Sequence, residues 1–71
     1  MKPIIVLAGN YEQFRRYVVE KESKFPSEKY VYGDTPERMM GIEASGVIRI
    51  GTFYERKDSE ECELEARSRV R

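Results

Sequence analysis

Three short apolar runs, separated by polar segments of helical period, organise the chain. Ile4-Ile5-Val6-Leu7-Ala8 is unbroken and rich in β-branched residues, the composition of a strand covered on both faces, and so it is expected at the centre of a sheet. Pro3 lacks an N–H only where the ladder begins. After Gly9-Asn10, Phe14, Tyr17, Val18 and Lys21 recur at helical spacing. Asn10 is placed as N-cap, with Gln13 three positions on to complete a capping box. A helix is expected over about residues 11 to 23, and Pro26 prevents its continuation past Phe25.

Tyr30-Val31-Tyr32 reads as a second strand ended by Gly33-Asp34. Thr35-Pro36 then sets an N-cap before a proline at the first helical position, and Gly41 keeps that second helix short. Val47-Ile48-Arg49-Ile50 is the third strand, with the charge of Arg49 marking an edge. Asp58 and Glu61 predict another capping box, and Glu63 with Arg67 and Glu65 with Arg69 predict i,i+4 pairs on a final helix. Its apolar stripe of Cys62, Leu64, Ala66 and Val70 is thin, so the segment 57–71 is expected to dock weakly.

The order β-α-β-α-β-α with right-handed crossovers implies an α/β fold built on a compact three-stranded parallel sheet. Strand order 2-1-3 puts the most apolar strand in the middle and helices on both faces. With 71 residues and 8.4 kDa, a single Rossmann-like mini-domain over 1–71 is expected.

Charge narrows the partners. Thirteen Lys and Arg balance thirteen Asp and Glu, so net charge steers the chain toward neither nucleic acid nor an anionic membrane. The longest apolar stretch is far short of the roughly 20 residues a membrane-spanning helix needs, and too few apolar residues follow Met1-Lys2-Pro3 to form a signal peptide. Cys62 is the one cysteine, which precludes an internal disulfide and favours a cytoplasmic location. Histidine is absent, removing the commonest neutral-pH base and zinc ligand. Glu60, Glu61, Glu63 and Glu65 surround Cys62 and oppose a thiolate there. No catalytic residue, cofactor or metal site is expected, and the chain reads as non-enzymatic.

In an open parallel sheet ligands sit beyond the carboxyl ends of the strands. That edge carries Gly9 and Asn10 after strand one, Asp34 and Thr35 after strand two, and Gly51 and Thr52 after strand three. Helix N-termini nearby would favour a phosphate or carboxylate. The segment after Gly9 has neither the three-glycine dinucleotide turn nor a P-loop lysine, and Tyr11 would crowd a pyrophosphate. Nucleotide or nucleic-acid binding at this edge is therefore the alternative reading. Nucleic acid is less favoured as a partner than protein, because no recognition helix or RNA-binding sheet signature is present. The leading reading is binding of a macromolecule, a protein, through exposed aromatics: Tyr11, Phe53 and Tyr54, with Arg15 and Arg56. A homodimer through an edge strand or the last helix would bury surface that so short a chain leaves open.

Ile-Ile-Val-Leu-Ala-Gly-Asn-Tyr at residues 4 to 11, followed by Phe14 and Tyr17, resembles the opening of small uncharacterised Rossmann-like proteins encoded by actinobacterial phages. Val47-Ile48-Arg49-Ile50-Gly51-Thr52-Phe53-Tyr54 resembles their later strand and following turn. The resemblance implies an accessory protein that engages a host or phage macromolecule. It carries no catalytic motif and transfers no residue role.

Overall fold

The computed structural model describes residues 2–71. Its elements are β1 (Ile4–Leu7), α1 (Tyr11–Lys24), β2 (Tyr30–Tyr32), α2 (Pro36–Met39), β3 (Gly46–Arg49), a 3₁₀ turn (Phe53–Glu55) and α3 (Ser59–Ser68). The strands form one parallel sheet in the order β2-β1-β3. Ile4 lies between Tyr30 and Gly46, and Val6 between Tyr32 and Ile48. Successive side chains of β1 point to opposite faces, and both faces are covered. On one, Ile5 and Leu7 pack with Met39, Ala44, Phe53, Cys62 and Ala66, all buried. On the other, α1 lies over the tyrosines of β2: Phe14 stacks on Tyr32 with ring centroids 5.2 Å apart, and Tyr17 meets Tyr30 edge-on at 6.0 Å.

Local signals explain the boundaries. Asn10 Oδ1 accepts the Gln13 N–H at 2.9 Å and opens α1, and Thr35 Oγ1 accepts the Arg38 N–H at 3.2 Å and opens α2 ahead of Pro36. β3 begins one residue earlier than the apolar run suggested and stops at Arg49, because Gly51 turns the chain with φ +58°, a conformation a side chain resists. Gly33 ends β2 where a Cβ would meet Leu7 Cδ2, so a larger residue there would have to displace Leu7 from its place in the core.

The last helix departs from expectation in three ways. Asp58 caps α3 by position only: its carboxylate makes no cap bond and turns back to Arg56, so the Asp58–Glu61 capping box does not form. Glu65 pairs with Arg69 at 3.0 Å as expected, whereas Glu63 leaves Arg67 for Arg49 and the Tyr54 hydroxyl. Both swaps exchange a local partner for one that also ties α3 to the strand ends. Leu64 is exposed, and Cys62 and Ala66, one turn apart and fully buried, carry the docking instead. A further tie is backbone: the Ala44 N–H donates to the Arg69 carbonyl at 2.8 Å, and the Arg71 N–H donates to the Ala44 carbonyl at 3.1 Å. Among the described residues, no helix is long and apolar enough to cross a membrane.

Candidate functional site

With order 2-1-3, the connections from β1 and into β3 run in opposite senses, which puts the topological switch point between their carboxyl ends. Gln13 occupies it. Its Oε1 accepts the Gly9 N–H at 2.8 Å and the Thr52 N–H at 3.1 Å, and its Nε2 donates to Thr52 Oγ1 at 3.0 Å. A Cβ on Gly51 would lie 2.2 Å from Gln13 Oε1, and one on Gly9 would lie 2.0 Å from Thr52 Oγ1. The two glycines thus make room for the glutamine side chain. The expected reach of Gln13 back to the Asn10 N–H is replaced by this bridge, since one oxygen meets two backbone donors here and would meet one in a capping box.

Between the carboxyl ends of β1 and β2 lies an open groove of about 830 Å³, whose lining includes Tyr11, Tyr32, Asp34, Thr35, Arg38 and Asp58. Arg56 also borders this groove, and the structure corrects its expected role as a free contact residue. Its Nη1 donates to the carbonyls of Ala8 and Gly33, each at 3.0 Å. Its Nη2 donates to the Asp34 carbonyl and, at 3.0 Å, to Asp58 Oδ2, while Nε donates to Asp58 Oδ1 at 2.9 Å. A guanidinium has five N–H donors, and five oxygen acceptors meet them, with Cys62 Sγ a further 3.3 Å neighbour of Nη2. Arg56 therefore fastens the ends of two strands to the start of α3, and its charge is balanced at once by Asp58, whose carboxyl Arg56 holds below the usual aspartate range. Asp34 offers its carbonyl to this network and pairs its carboxylate with Arg38 at 3.3 Å.

Cys62 closes the back of the network, with its S–H donating to Asp58 Oδ2 at 3.3 Å. Burial, with Asp58 adding to it, pushes the thiol up to about 11. A thiol at about 11, against an ordinary value near 9, carries on the order of a hundredfold less thiolate at equal pH. At pH 8, iodoacetamide is expected to label the native protein on the order of a hundredfold more slowly than the urea-unfolded chain. Equal rates would put Cys62 outside the core. Because the folded value is raised, the neutral thiol favours the fold below the unfolded value near 9, and that contribution is lost as pH climbs through about 11.

The aromatics divide differently from the sequence expectation. Phe53 is 1% exposed and belongs to the core, not to a contact surface. Tyr54 beside it is 64% exposed, with its hydroxyl donating to Glu63 at 3.0 Å. Tyr11 is 55% exposed yet fixed in place, with its ring 5.7 Å from both Phe14 and Tyr32. From Tyr11 an i,i+4 row continues through exposed Arg15 to Val19, which is 61% exposed. Tyr11 and Arg15 are thus brought together on α1, whereas Tyr54 lies beyond β3 against α3. Val19 was missed as a contact residue although its spacing from Tyr11 and Arg15 was readable. Gln13 and Asp58 were assigned only as helix caps: Gln13 meets Thr52 from across 39 residues, and Asp58 turns its carboxylate from the helix N–H groups to the side chains of Arg56 and Cys62.

No protein-family model matches the chain, and no similar curated protein or solved structure was found.

Proposed function

We propose that the protein is a small non-enzymatic binding module that holds a host or phage protein against the outer row of α1, centred on Tyr11, Arg15 and Val19. The observation that carries this reading is two large apolar side chains more than half exposed on one helix row, where the helix is already anchored by its opposite side. Tyr11 is wedged against Phe14 and Tyr32, so binding through it costs little further ordering, as in contacts that dominate interface energetics. The surroundings favour protein over nucleic acid. Arg16 is paired with Glu12 at 2.8 Å and Lys24 with Glu20 at 3.8 Å, so part of the positive charge of α1 is already neutralised within the helix and is not free for phosphates. At the groove, Arg56 has no N–H left for a phosphate.

The test is capture from host lysate, with and without nuclease treatment, by the native protein, by a Tyr11→Ala/Val19→Ser double variant and by Tyr54→Ala. One protein should be retained by the native chain and by Tyr54→Ala, and its affinity should fall about thirtyfold in the double variant, the effect of removing roughly 2 kcal/mol of contact. Equal retention by all three would reject this surface, and retention that nuclease abolishes would identify nucleic acid as the partner. A mass that rises with concentration in the native chain but not in the double variant would make the partner a second copy.

A further inference from the structure

The switch point holds a feature that the α1 surface does not use. Two backbone N–H groups, from Gly9 at the end of β1 and from Thr52 after β3, converge on one oxygen at 2.8 and 3.1 Å, with the Thr52 hydroxyl 3.0 Å from the nitrogen of the same carboxamide. They come from segments 43 residues apart in sequence, since 52 minus 9 is 43, so the sheet brings them together. Paired donors aimed at a single oxygen have the geometry that stabilises an oxyanion, and they bind a charged oxygen more strongly than a neutral one. The oxygen they hold is neutral and sits on a side chain that only rotamer changes need to move. The carboxamide lies close against both glycines, because a Cβ on either Gly9 or Gly51 would collide with an atom of the Gln13–Thr52 bridge, while Thr52 itself is open to solvent.

We propose that Gln13 is a tethered occupant of an oxyanion site formed by the Gly9 N–H, the Thr52 N–H and the Thr52 hydroxyl, and that a phosphate or carboxylate takes this site when Gln13 rotates out. The glutamine acts as an autoinhibitory ligand. It keeps the site closed at rest and sets the affinity of any anion by the fraction of time it is withdrawn. The inference shares no residue with the Tyr11, Arg15 and Val19 row, so either can fail alone.

The test follows the Gly9 and Thr52 amide resonances while inorganic phosphate, and separately acetate, is added to the native protein and to Gln13→Ala. The variant should show saturable shifts at both amides, and the native chain should respond about tenfold more weakly, the cost of displacing a side chain held by ordinary hydrogen bonds. A stronger response to phosphate or to acetate identifies which oxyanion the site suits. No saturable shift at these two amides in the variant, or shifts confined to Arg15, Arg16 and Lys21, would overturn the proposal. Should Gln13→Ala not fold, Gln13→Glu gives an independent reading. If the donors favour an anion, the introduced carboxyl titrates below the ordinary glutamate value, and titration at or above that value would overturn the proposal equally.

Discussion

Phe53→Ala is expected to remove about 4 kcal/mol of stability, as removal of a fully buried phenylalanine typically does. A domain of this length has only roughly 4 to 10 kcal/mol in total, so the variant should sit near its unfolding midpoint in plain buffer. Phe53 is the largest fully buried side chain and packs into the cluster of Ile5, Leu7, Met39, Cys62 and Ala66. It also lies 5.6 Å beneath the Arg56 guanidinium, so its removal takes away a cation–π contact in addition to apolar burial. Urea unfolding followed by circular dichroism checks the value, and Tyr54→Ala is the control. Tyr54 is mostly exposed, and its truncation should cost less than about 1 kcal/mol because what it loses is surface contact. Similar small losses in the two variants would show that Phe53 is not the keystone of this face.

Phe53 shows where sequence reading ended. The strands, their order and the first two helices were legible because each rests on a local signal: β-branched runs for β1, the Asn10 and Thr35 caps, and proline and glycine as punctuation. The candidate edge was legible for the same reason, since the positions after parallel strands follow from topology. What the residues do at that edge was not. Phe53 and Tyr54 are adjacent and chemically alike, and which one turns inward depends on the 3₁₀ turn that follows Gly51. Arg56 looked like a free surface cation, because a sequence does not display strand-end carbonyls in search of a donor. The short Arg56-Lys57-Asp58 spacing was the only local trace of its bidentate pair. Gln13 and Thr52 meet across 39 residues, and no periodicity reports such a contact. Charge pairing misled for a related reason. The i,i+4 rule offered Glu63 a partner on its own helix, and the tertiary alternative of Arg49 with the Tyr54 hydroxyl took it instead.

Arg56→Met is expected to cost about 3 kcal/mol, nearly as much as the loss of Phe53, by an electrostatic route. The carbonyls of Ala8, Gly33 and Asp34 each lose a charged donor, and an unsatisfied, partly buried acceptor costs about 1 kcal/mol or more. Asp58 contributes less to the loss because it is partly exposed and can turn to water. Arg56→Lys should restore less than half, since one ammonium has three donors at a single point and cannot span three carbonyls and a two-point carboxylate contact. The pH dependence separates the two contributions. Arg56 depresses the Asp58 carboxyl in the folded protein, so the ion pair stabilises the fold above the unfolded aspartate value, and that part is lost as pH falls through the folded one. The carbonyl bonds do not titrate. The gap in stability between the native protein and Arg56→Met should therefore narrow, but not close, as pH drops below about 4. A gap that stayed constant would assign the whole effect to the carbonyls. A variant as stable as the native protein would mean that water satisfies the strand ends without Arg56, and that the two strands and α3 hold together by apolar packing alone.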